Sequence, residues 1–208
     1  MVVDSDRSRL NFIDLSKEAV GAAYYSLPRI ALVSIIWCLL SVTVVLAGPA
    51  TAVVVATAAS ALNRDRFRFH QLWQQFKRYF WRSQLPVVPT LVLVDAAGWA
   101  LIQFETTGRF VFALAGFLAI DALLVVSVVL LYYYPLLIDH DESAQMTARR
   151  SVEFAVTHLR PTFALWLFCV SLITLLGFTV AGFVLVGPGL TATVLTLGTR
   201  YLSGRPLQ

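Results

Sequence analysis

Apolar and polar residues fall in long blocks along this chain. From Pro28 to Ala47 the residues are almost all apolar, Gly48-Pro49 interrupts, and a second apolar run from Ala50 to Leu62 carries no charge. Proline suits a first helical turn, where its missing N–H has no partner to lose, and Arg29 beside it can snorkel toward headgroups. Gly48 is expected to close the first helix and Pro49 to open the next. Ala50 to Leu62 covers only about 20 Å at 1.5 Å per residue, short of the ~30 Å hydrocarbon layer.

Residues 63–84 change character. Arg64, Arg66, Arg68, Lys77, Arg78 and Arg82 face one acid, Asp65, while Phe69, Leu72, Trp73, Phe76 and Phe80 recur at helical spacing. The pattern predicts an interfacial helix lying on an anionic leaflet, with Arg68, Trp73, Lys77, Arg78 and Arg82 as its lipid contacts. Interleaved bases and aromatics also occur in nucleic-acid surfaces, but here the aromatics hold one helical face between two apolar spans, so no nucleic-acid partner is expected.

Residues 85–138 predict a central hairpin: a span from Pro86 to Phe104, a short connection from Glu105 to Arg109, and a long span ending in Tyr132-Tyr133-Tyr134-Pro135, read as an aromatic belt at a membrane boundary. Residues 139–160 follow. There Asp139-His140-Asp141-Glu142 is read as acidic capping of an amphipathic helix with Ala148, Val152, Ala155 and Val156 on one face. Residues 161–208 repeat the opening plan, with Pro161, an apolar run, Gly187-Pro188 and a short segment to Leu202. Residues 1–27 are polar, and Asn11 to Tyr25 form an amphipathic stretch that fits either an interfacial helix or a solvated helix packed on the bundle.

The expected fold is an all-α integral membrane protein of one domain, about six membrane segments with cytoplasmic interfacial helices. Its two Gly-Pro hairpins, containing Thr51-Ala52 and Thr191-Ala192, would be parallel repeats. Composition agrees with the class: of 208 residues, 58% are hydrophobic and 13% charged, and the mean hydropathy is +0.75, far from the soluble norm. Charge then sets topology. Of sixteen Lys and Arg residues, six segments leave only Arg109 on the side opposite the termini, which the positive-inside rule makes the outer side of the plasma membrane. No removable signal peptide is expected in the polar N-terminal stretch, the first span serving as the insertion signal. Cys38 and Cys169 lie in apolar runs, where a thiol behaves as a small hydrophobe.

Two observations carry candidate chemistry. Asp95 and Asp121 sit inside apolar spans, nine residues before Phe104 and eleven after Phe110, at similar depth in an antiparallel hairpin. Such a pair is a candidate proton or cation site, or else two separate acids that pin the bundle. Gly48, Pro49, Gly187 and Pro188 are candidate helix breaks of the kind that expose backbone groups at transporter sites, or tight turns at a surface. No metal site, cofactor or catalytic residue is indicated: GxxxxGK[ST], GxSxG, HExxH and CxxC are all missing, and the chain is not expected to be an enzyme.

Three features together, Gly48-Pro49-Ala50-Thr51 after the first span, Phe76-Lys77-Arg78-Tyr79-Phe80 before the third, and Tyr134-Pro135 followed by the helix into Pro161, resemble the YesL-like family of small membrane proteins of unknown function (domain of unknown function 624). The resemblance implies a plasma-membrane protein associated with carbohydrate-uptake ABC transporters, with permease subunits as partners; anionic lipids are expected from the basic helix. It supplies no catalytic residue. The leading expectation is therefore an accessory or regulatory protein of solute transport; a small transporter or channel using Asp95 and Asp121, and a lipid-binding scaffold, stay open beside it.

Overall fold

A computed structural model describes Gly21, residues 27–63 and residues 69–203. Most of the N-terminal amphipathic stretch, and Arg68, lie outside the described residues. Those described form helices only: α1 (Leu27–Ser41), a short 3-10 turn (Val44–Leu46), α2 (Ala47–Leu62), α3 (Phe69–Thr107), α4 (Phe110–His140), α5 (Ala144–Thr157), α6 (Leu159–Gly177) and α7 (Val180–Leu202). Among the described residues four helices are long and apolar enough to cross a membrane, those of α3, α4, α6 and α7, while α1 and α2 are apolar but shorter. This is an all-α, membrane-embedded protein.

The bundle is built around α2. Eleven of its sixteen residues are buried, and α1, α3, α4 and α7 all pack on it. Its sequence is mostly Ala, Val and Thr, and such short side chains let neighbouring backbones come close, which is how helices gain contact where lipid removes the hydrophobic drive. At Gly48 the approach is closest, since a Cβ there would lie 2.8 Å from the carbonyl oxygen of Ser83 on α3.

The helix breaks fall elsewhere than expected. The first hairpin turns at residues 42–46, where Thr43 Oγ1 donates to Leu40 O at 2.7 Å, and Gly48-Pro49 lies inside the first turn of α2. Proline there needs no helix donor, so it stabilises a start rather than marking a turn. In the second hairpin the break lies at Phe178 and Thr179, and Pro188 is the ninth residue of a continuous α7. Its neighbour Gly189 donates its N–H to Ser34 Oγ on α1 at 3.1 Å. A Cβ at Gly189 would meet Ile30 Cγ2 at 2.4 Å, so the glycine is where α1 crosses α7.

From Phe69 onward the basic stretch and the third span, expected as two helices, are one helix of 39 residues that runs through Pro86 and Pro89. Proline 86 cannot donate to the carbonyl of Arg82 four residues earlier. The hydroxyl of Tyr133 on α4 donates to that oxygen instead, at 2.6 Å. An orphaned carbonyl is costly in an apolar interior, so this bond keeps the helix intact at that point.

Tyr132, Tyr133 and Tyr134 consequently form core and not a belt. All three are buried, Tyr132 hydrogen-bonded to Thr162 Oγ1 at 2.9 Å and Tyr134 reaching Ser83 O at 3.5 Å. Interfacial aromatics keep one edge in water; these have their hydroxyls satisfied by protein.

Candidate functional site

Asp95 and Asp121 belong to the α3–α4 hairpin. Its seam is made of small residues, with Ala97, Ala100, Gly116 and Ala119 buried along it. A Cβ on Gly116 would lie 3.6 Å from that of Ala100, and Trp99 meets Phe112 edge to face with centroids 5.6 Å apart. On the Ala100–Gly116 register the two aspartates fall level with each other.

The structure does not bring them together. Asp95 precedes Ala97 and Ala100 by two and five residues, and Asp121 follows Ala119 and Gly116 by two and five, so at about 100° per residue both lie on the faces turned away from the seam. Both are exposed. Neither has a hydrogen bond or ion pair among the described residues. A charged side chain at a helix centre in a bilayer costs about 2.5–3.5 kcal/mol or more, so acids placed this way call for a partner.

A cavity of about 480 Å³ opens between α2, α3, α4, α6 and α7, within the ~300–1,000 Å³ of small-molecule pockets, and neither aspartate lines it. Its polar wall residues have their hydroxyls turned back onto helix carbonyls. Thr51 Oγ1 donates to Ala47 O at 2.7 Å, Thr90 to Pro86 O at 2.7 Å, Thr191 to Gly187 O at 2.8 Å and Ser127 to Leu124 O at 2.7 Å. Trp37 Nε1 adds a bond to Thr51 Oγ1, and Trp166 Nε1 one to Ser127 Oγ, each at 2.9 Å. What remains facing the cavity is chiefly methyl and ring surface. Recognition of a polar solute such as a sugar needs free donors and acceptors at fixed positions, and this wall supplies few.

The polar end of the bundle is tied by arginines. Arg78 pairs with Asp141, Arg82 bonds the same carboxylate at 2.9 Å, Arg150 bonds Glu142 at 2.6 Å, and the largely buried Arg200 joins Asp139 at 3.2 Å and Asn63 at 2.7 Å. The acids therefore anchor α3, α5 and α7 to the end of α4 rather than cap α5, whose N-cap Ser143 makes no side-chain cap bond. Asp141 ends α4 with φ 50°, a left-handed conformation Asp tolerates, which swings its carboxylate toward both arginines. No group of metal-binding residues is found among the described residues.

Of the expected lipid contacts, Arg78 and Arg82 are thus engaged within the protein. Trp73 is exposed, stacked on Phe76 at 5.7 Å with Lys77 Nζ 5.2 Å from its ring centre. Gly48 and Pro49 are buried at the α2–α3 contact, and Gly187 and Pro188 sit within α7. Sequence reasoning passed over Gly189, though it adjoins Gly187-Pro188, and it missed the hydroxyl role of Tyr133, for which Pro86 was the available signal.

No curated protein and no solved structure matches the chain. Residues 30–97, from α1 through α2 into α3, include Gly48, Pro49 and Asp95, and over this stretch the chain is similar to the family described as "Protein of unknown function, DUF624".

Proposed function

We propose that this is a YesL-like, multi-pass plasma-membrane protein without enzymatic activity, acting as an accessory or regulatory component of carbohydrate uptake, with both termini cytoplasmic. The observation that carries the accessory reading is the placement of its intramembrane acids. Asp95 and Asp121 face outward from the hairpin and line no part of the cavity between α2, α3, α4, α6 and α7, which is itself apolar. A stand-alone carrier needs its ionisable groups on a solute path; outward acids instead suit contact with a second membrane protein. The carbohydrate assignment, and an ABC permease as the partner, rest on the family resemblance. The orientation rests on Arg109, the one cation at the tip between α3 and α4.

Two measurements test the reading together. Purified protein in proteoliposomes is expected to pass no sugar, and cells lacking the protein are expected to lose carbohydrate uptake that the restored gene returns. Sugar flux through the protein alone, lost on Asp95→Asn, would establish a carrier instead.

A further inference from the structure

On α3 the residues Leu85, Val88, Val92, Asp95, Trp99 and Ile102 follow one another at intervals of three, four, three, four and three. This is the spacing of a helix–helix seam, in which every position returns to the same face over about 26 Å. The whole row is exposed, with Val92 at 62%, Trp99 at 55% and Ile102 at 60% of full accessibility. The opposite face of the same helix is already used, by Ala97 and Ala100 against α4. The row is thus largely open among the described residues, though Trp99 meets α4 through the ring of Phe112.

The open row has a charge signature. Asp95 stands in an otherwise apolar row. The chain holds no Lys or Arg from residue 83 to 108 or from 110 to 148, so α4 has no cation to offer at that depth. A second copy docked on the same row would bring only a second carboxylate, and two carboxylates in contact disfavour each other's ionised form. On α4 a shorter row at the same spacing, Phe110, Leu114, Phe117, Asp121 and Leu124, stops at Val128, which is half-buried. Every member of the α3 row, by contrast, is exposed.

We propose that this row of α3 is the seat of a transmembrane helix of another protein that carries a Lys or Arg at the level of Asp95. The apolar positions supply the packing and the ion pair sets depth and partner choice, as a single polar residue does in a helix seam. The inference deepens the accessory reading and rests on it, since it names the chemistry of the partner.

The test uses the full-length protein, donor-labelled, reconstituted in phosphatidylcholine vesicles with acceptor-labelled Leu-rich peptides of ~20 residues bearing one central Lys or, as control, a central Leu. Energy transfer is expected to show the Lys peptide associating roughly tenfold more strongly than the Leu peptide, the scale of one good polar contact between membrane helices. Asp95→Asn should abolish the preference, and Asp121→Asn should keep it. In a form with Cys38→Ser and Cys169→Ala, Val92→Cys should trap a Cys-bearing Lys peptide as a disulfide, and Phe117→Cys should not. Equal association of the two peptides, a preference that survives Asp95→Asn, or Asp95-dependent transfer between two labelled copies of the protein would each overturn the proposal. Sugar uptake is measured separately, so loss of the accessory reading and loss of this docking site are told apart.

Discussion

Single residues decide whether α3 is one helix or two. Pro86 removes the donor for Arg82 O, and Tyr133 replaces it from α4. Tyr133→Phe should lower thermal stability in mild detergent by about 1–3 kcal/mol, because a buried carbonyl loses its partner. Pro86→Ala restores an N–H to the helix, so in the double variant the cost of losing the hydroxyl should largely vanish. A double-mutant cycle with no coupling would show that the hydroxyl serves some other group. The aspartates teach the same lesson in a different way. Their level along the hairpin could be counted from the sequence, but their direction depended on which face of each helix held Ala97, Ala100, Gly116 and Ala119.

Among the elements, the two Gly-Pro pairs look alike in sequence and do different work. Gly48 touches backbone, so a side chain there must push α2 from α3. A Cβ at Gly187 would meet the ring of Phe183 at 3.0 Å on its own helix, and that ring is a half-buried side chain rather than backbone. Gly48→Ala should therefore destabilise by about 1–3 kcal/mol through overpacking. Gly187→Ala should stay within about 1 kcal/mol, since the ~1 kcal/mol helix-propensity gain of alanine offsets the shift of the ring. Unfolding midpoints of the two variants, measured side by side, check the contrast. Equal losses would mean that the α2–α3 contact relaxes easily. The basic stretch shows a similar divergence: its aromatic face was legible, whereas its fusion to the third span required seeing Tyr133 bridge the proline.

For the whole molecule, the topology argument does not depend on whether the two shorter apolar helices cross. With four long helices and a short α1–α2 hairpin, an even number of crossings still places residue 27 and residue 203 on one side if that hairpin returns to the side it left, and Arg109 on the other. In a form with Cys38→Ser and Cys169→Ala, a cysteine introduced at Glu105 should react with an impermeant maleimide on intact cells. One at Ser203 should react only after lysis. The reverse pattern would invert the orientation and remove the basis for calling the arginine-rich end cytoplasmic.

The sequence by itself determined the class and the helical character of the apolar runs, though not where the helices break, because runs of apolar residues near the length of a bilayer leave a backbone little choice but helix. It also determined where charges are excluded, and so which two acids stand out. Only the tertiary structure decided which way side chains face. That choice made three tyrosines core instead of belt, turned an acidic run from helix cap into arginine anchor, and sent Asp95 and Asp121 outward. The physical reason is that burial and pairing depend on neighbours distant in sequence, and in a chain this uniformly apolar no local pattern says which apolar face meets protein and which meets lipid.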